Sequence, residues 1–322
     1  MRNSLLYTLA GTIIIIAVWW GLAEMLSKKQ PVVGYSTNIE DLPAAIRDSV
    51  IRADEAKIST ATEFKKIYPI LPTPVQVVEA FPRLMAAPYN LMDNLGRSLW
   101  LNLRGYFWAI LISIPLGFLL GLVPAVKNLF SKHVDALRYL PLTALTGLFI
   151  TWFGLDDPMK IAFLAFGILV YMLPVVVQRI SEVDDVYVKT VYTLGATRWQ
   201  TIKSVYLPAV LSKFMDDVRV LTAISWTYII IAEMQNNVGG IGALAYQSGK
   251  RGKIDQVFAI LLLVIIIGIL QDRIFVWLDK RLFPHKYYPT AAAAIPEARW
   301  GIFALLGVLA ALVILPILVP GL

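Results

Sequence analysis

Long apolar runs alternate with short polar breaks along most of this chain. About 20 apolar residues at 1.5 Å rise each cross the hydrocarbon core of a bilayer. The pattern therefore predicts seven helical spans, at 5–26, 99–123, 137–153, 161–178, 218–232, 257–278 and 300–319. The third to fifth are short, and Pro141 and Pro174 are expected to break them. Such interruptions are tolerated where neighbouring helices or a water-filled path satisfy the freed backbone groups, so the middle helices are expected inside the protein and along any pathway.

Two polar regions interrupt this rhythm. The longer, 27–98, places Leu42, Ile46, Val50 and Ile51 at helical spacing among charges. It then meets Leu71-Pro72-Thr73-Pro74, an extended punctuation that suits a helix start and a second amphipathic stretch at 75–85. The shorter, 181–217, predicts two helices, 186–194 and 197–205, turned at Gly195-Ala196 and closed by Leu207-Pro208. Glycine permits the positive φ of a tight corner, and Pro208 is expected to stop one helix before another begins. Val188, Val191, Leu194 and Trp199, flanked by Arg198 and Lys203, suit insertion into a groove on a soluble protein. An amphipathic loop resting on lipid headgroups would carry the same residues.

Composition agrees with a membrane protein. Of 322 residues, 58% are hydrophobic and only 16% charged, against roughly 25% charged in soluble domains. The absence of cysteine excludes disulfides, cysteine–zinc sites and thiol nucleophiles, and the two histidines, His133 and His285, stand far apart. A net charge of +7 comes without a basic helix interleaved with aromatics, so no nucleic-acid partner is expected. Lys127, Lys132, Arg138, the 179–219 interval, Lys280, Arg281 and Lys286 fall on one side, which the positive-inside rule makes the cytoplasm. The N-terminus is then cytoplasmic and the C-terminus extracytoplasmic, although Lys28, Lys29, Lys250, Arg251 and Lys253 fall on the outer side. Residues 5–26 read as a retained helix, having one charge before them and no small-residue cleavage pattern.

Polar residues inside spans tend to face a cavity or another helix. Thr143, Thr146, Thr151, Ser225 and Thr227 are candidates for a substrate path, with hydroxyl bonding to helix carbonyls as the structural alternative. Glu233, at the outer end of the fifth span and followed by Gln235, Asn236 and Asn237, is a candidate gate or an interfacially solvated carboxylate. Asp272-Arg273 reads as pairing between neighbours near the inner interface, and Asp156 as the cap of a helix starting near Pro158.

The 181–217 loop resembles the coupling loop of inner-membrane permease subunits of bacterial ABC importers. That pattern is Glu-Ala-Ala, three residues, Gly, nine residues, Ile, one residue, Leu-Pro. The matching positions are Lys189-Thr190-Val191, Gly195, Val205 and Leu207-Pro208, with the leading triplet replaced. The likeness extends to the nitrate, sulfonate, taurine and bicarbonate group through Leu71-Pro72-Thr73-Pro74, Ile114-Pro115-Leu116-Gly117, Trp152-Phe153-Gly154-Leu155, the run Thr193 to Trp199, Ala232-Glu233-Met234 and Asp255 to Ala259.

The resemblance implies an all-α polytopic fold, with a six-helix permease core and one extra C-terminal span. Its parts would be a first helix at 1–26, an extracytoplasmic segment at 27–98, the core at 99–283 and a linker with the last helix at 284–322. It implies an inner-membrane permease for a small anion, a second permease chain, cytoplasmic ATPases carrying ATP-Mg, an extracytoplasmic solute-binding protein and surrounding lipid. Lys189, Thr190, Val191, Leu194, Gly195, Ala196, Arg198, Trp199, Val205, Leu207 and Pro208 would form the ATPase-coupling face. No cofactor is expected on this chain. Gly249-Lys250 is followed by Arg251 and preceded at the needed glycine position by Leu244, so it is no phosphate loop. The alternatives are an ion-coupled secondary transporter, which would need charges deep in its spans, and a membrane enzyme, which would need clustered His, Asp or Glu.

Overall fold

A computed structural model describes residues 2–31, 64–235 and 239–287, and divides the chain into two compact units. The predicted span at 300–319, the amphipathic pattern at 42–51 and Asn236 and Asn237 lie outside the described residues. Among the described residues, three helices are long and apolar enough to cross a membrane, Leu91–Leu122, Asp157–Ser181 and Ile254–Leu282.

The first unit comprises residues 1–89 and 247–260. Its helix α1, Arg2–Met25, matches the predicted first span. A two-stranded antiparallel hairpin follows, β1, Lys28–Pro31, against β2, Phe64–Ile67, with Lys28 opposite Ile67 and Pro31 opposite Phe64. The sequence reading did not anticipate it, because neither four-residue strand shows apolar alternation. Glu24 fastens the hairpin to α1 by accepting from Lys66 at 2.7 Å and Tyr68 at 2.9 Å. Helix α2, Pro74–Met85, starts where the Pro72–Pro74 punctuation predicts. Its first turn is closed by a capping box in which Thr73 and Gln76 satisfy each other's backbone N–H. Val77, Ala80 and Leu84 form its buried stripe.

The second unit holds residues 90–246 and 261–322. Its elements are α3, Leu91–Leu122; α4, Pro124–Ala136; α5, Thr146–Phe153; α6, Asp157–Ser181; α7, Asp185–Thr193; α8, Arg198–Thr201; α9, Leu207–Glu233; the start of α10, Ile241–Lys250; and most of α11, Ile254–Leu282. The α3–α6 pair carries its packing. Gly105, Ala109, Ser113, Gly117 and Gly121 recur at every fourth position of α3 and so form one ridge without bulk. Facing them on α6 are Leu164, Ile168, Met172, Val176 and Ile180, all buried. A Cβ at Gly105 would collide with Leu164, one at Gly117 with Val176, and one at Gly121 would lie 2.7 Å from Ile180 Cδ1. The offset between partners is constant, so the two helices run parallel. Small residues admit this close approach where lipid supplies no hydrophobic drive between helices.

Helix α9 lies antiparallel to α3. Ser98 meets Glu233, Asn102 meets Ser225, and the Tyr106 hydroxyl donates to the Val218 carbonyl at 2.7 Å. The buried Ser225 hydroxyl also has the Thr222 carbonyl within reach, at 2.7 Å, so each of the three buried hydroxyls has an acceptor.

The predicted third span is broken at Pro141 as expected: a 3-10 turn at Leu137–Tyr139 precedes the break, and a second 3-10 turn at Leu142–Leu145 leads from it into α5. The segments before and after the break meet at 90°, because Pro141 cannot donate to a helical ladder and holds Leu140 extended. Pro174, by contrast, sits inside an unbroken α6 of 25 residues, so the fourth span is not short. Asp156 occupies the cap position of α6 but accepts no cap hydrogen bond. Asp272 pairs not with Arg273 but with Arg219 of α9, at 2.9 Å.

Candidate functional site

The 181–217 loop begins as expected. Asp184 caps α7 by accepting from the Val186 N–H at 2.9 Å. The helix ends in a Schellman closure, the Gly195 N–H donating to Tyr192 O and the Ala196 N–H to Val191 O, both at 3.0 Å. Gly195 takes φ +80°, and a Cβ there would meet nothing. The glycine is thus required by backbone conformation and not by space.

Thr197 and Gln200 then form a second capping box that starts α8. From here the predicted stop at Pro208 fails. Backbone dihedrals stay helical from α8 through Leu207 into α9. The reason is a π turn over Ile202–Tyr206, in which the Leu207 N–H donates five residues back, to Ile202 O. Pro208 lacks an N–H and would press on a carbonyl four residues earlier in an ordinary α-helix. The wider turn immediately before it removes that conflict, so the loop's second arm and α9 form one helical run.

Leu194 is 81% exposed and Trp199 is 72% exposed, while Val188 and Val191 are half-buried. Exposed Val186, Tyr187 and Tyr192 add to the apolar surface of α7. Lys189 reaches Asp185 only at 3.7 Å, and the Thr190 hydroxyl donates to Val186 O. Arg198 is exposed, Ala196 and Val205 are half-buried. An apolar tip is therefore presented at the corner, with cations beside it.

Arg179 closes the neck of this loop. Its Nε and Nη2 donate to the two Asp217 oxygens, each at 2.7 Å, and Nη1 donates to both Glu182 oxygens at 3.0 and 2.8 Å. Lys213 donates to Glu182 Oε2 at 3.1 Å. Farther along α9, Asp216 accepts from Lys286 at 3.0 Å, which also reaches buried Asp279. The Arg179 guanidinium, then Lys213 and Gln178, hold the Glu182 carboxyl below the usual carboxylate range, against partial desolvation. A depressed folded pKa adds stability above the unfolded value that is lost as pH falls through the folded one. We expect amide exchange across residues 181–185 to stay protected as pH drops through the ordinary carboxylate range and to rise only below it. Protection lost already near the unperturbed glutamate pKa would contradict the pairing.

The opposite end of the same helices carries a second polar cluster. Glu233 is fully buried: it accepts from the Ser98 hydroxyl at 2.6 Å and from the Gly242 N–H at 2.9 Å, while Ser98 accepts from the Ile241 N–H at 2.9 Å. Asn94 accepts from the Gly240 N–H at 2.6 Å. A Cβ on Gly240 would occupy the carboxylate's place. Beside it, Arg97 pairs with Asp157 at 2.9 Å, and fully buried Lys160 lies 3.6 Å from the same carboxylate. Lys160 Nζ makes no hydrogen bond among the described residues. Glu233 is therefore not interfacially solvated; it laces the start of α10 to α3.

The predicted path hydroxyls are not gathered into one site. Thr146 donates to Thr143 O and Thr151 to Gly147 O, both on the exposed broken segment. Ser225 bonds Thr222 O and Asn102 inside the α3–α9 contact, and Thr227 is exposed on another face of α9. The sequence reading passed over Arg179–Asp217, Lys160 and the α3 glycines. Two signals were available: the spacing Gly117-x-x-x-Gly121, and Thr197-x-x-Gln200, the capping-box pattern. The Arg179–Asp217 and Arg97–Asp157 pairs bridge residues distant in sequence and leave no local signal.

A parallel α3–α6 pair, an antiparallel α9 and a stapled helix-turn-helix at one end define an all-α membrane component of a transporter. Residues 113–284 match the family model described as binding-protein-dependent transport system inner membrane component, and the chain belongs to that family. Its role is that of a permease subunit of an ABC importer. It is 28% identical over 231 residues to the taurine transport system permease protein TauC of Escherichia coli (strain K12), covering 70% of this chain and 84% of that one. It is 27% identical over 216 residues to the putative aliphatic sulfonates transport permease protein SsuC of Bacillus subtilis (strain 168), covering 66% of this chain and 77% of the relative. Among solved structures, the MetNI methionine ABC transporter in inward-facing conformations has a chain of like fold, with TM-score 0.56 at 20% identity over 61% of this chain and 98% of that one.

Proposed function

We propose that this chain forms the membrane path for a small alkyl sulfonate or similar anion and converts ATPase motion into alternating access through the 181–217 loop. It works as one of two permease chains, with cytoplasmic ATPases that bind and hydrolyse ATP-Mg and an extracytoplasmic solute-binding protein that delivers substrate. The N-terminus and the loop are then cytoplasmic, and the Glu233 cluster faces outward. The observation that carries the reading is the loop itself. Leu194 and Trp199 are large apolar side chains held exposed at a rigid corner, on a segment too polar to sit in lipid, and a groove on a soluble subunit is what would cover them. The substrate class comes from the taurine and aliphatic-sulfonate relatives, whose names share an alkyl sulfonate. Thr143, Thr146, Thr151, Ser225 and Thr227 remain the proposed path hydroxyls and Glu233 the proposed outer gate.

The test is purification from native membranes with uptake measured in proteoliposomes. The wild-type chain is expected to bring an ATPase with it and to take up a labelled alkyl sulfonate only with ATP and binding protein present. Trp199→Asp should release the ATPase, and Gly195→Ala should weaken its retention, since an L-residue held at this φ costs about 1 kcal/mol. Uptake that continues without ATP would instead point to an ion-coupled carrier.

A further inference from the structure

The neck of the loop holds a feature that docking alone does not require. Arg179 is the third residue from the end of α6, and Asp217 is the eleventh residue of α9. Everything between them is the loop. The pair is bidentate, with two parallel N–H···O bonds of 2.7 Å, the geometry that fixes orientation as well as distance. The remaining Arg179 nitrogen holds Glu182, and Lys213 of α9 holds Glu182 from the other side. One guanidinium thus ties together the end of α6, the entry to α7 and the shaft of α9.

We propose that this clamp is a positioning device that turns the loop and α9 into a single lever. The inference rests on the reading of 181–217 as the ATPase-docking loop. The second arm is already continuous with α9 through the π turn. The first arm, α7, is joined to α6 only by the short link at Glu182–Asp184, and would swing on it. Clamped at Arg179, a push on Leu194 and Trp199 cannot be absorbed by that link and must travel along α9, whose far end carries Glu233. Coupling of this kind needs an element with two discrete placements and no slack between input and output. Arg179 touches neither the docking tip nor the proposed path, so it acts through position. Lysine, a point charge without the planar fork, should hold the neck only in part.

The experiment uses the whole transporter in proteoliposomes, comparing wild type, Arg179→Lys, Arg179→Ala, Asp217→Ala and the double alanine variant. ATPase retention, basal hydrolysis and uptake per ATP hydrolysed are read together. All variants should retain the ATPase and hydrolyse at the basal rate. Uptake per ATP should fall by about tenfold in either single alanine variant and no further in the double variant, with Arg179→Lys intermediate. Because the chain has no cysteine, Arg179→Cys with Asp217→Cys adds a second arm. A short bis-methanethiosulfonate cross-linker, which joins the two thiols through disulfides and releases methanesulfinate, should restore uptake per ATP, and reduction of those disulfides should abolish it again. Unchanged uptake per ATP in Arg179→Ala, additive loss in the double variant or no recovery on cross-linking would each overturn the lever. A wild-type chain that carries no ATPase would reject the docking reading first, at a step that involves no variant.

Discussion

Replacing Glu233 by alanine is expected to destabilise the helical unit by about 3–5 kcal/mol, the usual penalty for removing one member of a buried charge network. The carboxylate accepts from Ser98 and from the Gly242 N–H, so its removal leaves a buried hydroxyl and a buried amide with no acceptor in that place. Lys160, buried and without a hydrogen bond among the described residues, would also lose a neighbouring negative charge. Glu233→Gln keeps an oxygen that can accept one of the two bonds and should cost clearly less. Chemical denaturation in mixed micelles, followed by near-ultraviolet circular dichroism, measures both. An alanine variant as stable as wild type would mean that the start of α10 is held by other contacts.

The second large effect is expected at Gly117. An added methyl group meets Val176 on the neighbouring helix, and two parallel helices must separate to admit it. Overpacking of this kind costs about 1–3 kcal/mol, and here the displacement reaches Gly105 and Gly121, which sit on the same ridge. Gly147→Ala is the matched control, because nothing lies within 4 Å of the position and alanine is the better helix former. Thermal unfolding of the purified protein should fall for Gly117→Ala and hold or rise for Gly147→Ala. Equal behaviour of the two would refute the close α3–α6 contact.

Much of this architecture can be read from the chain. Apolar runs place α1, α3, α6 and α11, and Gly195 fixes the loop corner because few other residues tolerate φ +80°. What is misread turns on proline. In the sequence Pro141, Pro174 and Pro208 all read as breaks, yet the first breaks its segment, the second lies inside an intact helix and the third follows a π turn. The outcome depends on whether the preceding carbonyls can be moved aside, which is a property of the surrounding packing and not of the residue. Glu233 and Arg179 show the other limit. Each is one charge among 51 acidic and basic residues, and only the antiparallel placement of α9 against α3, and its approach to α6, reveals which of them are paired and buried.

The π turn at Ile202–Tyr206 has one more implication. Each residue of an α-helix advances the chain by about 100° around its axis, so a wide turn with one residue to spare works like a vernier between the loop and α9. It lets the spacing from Gly195 to Leu207-Pro208 remain fixed while the compass bearing of Trp199 about the α9 axis is set separately. Tightening or widening that one turn would re-aim Leu194 and Trp199 about the α9 axis while Gly195, Leu207 and Pro208 keep their places in the sequence.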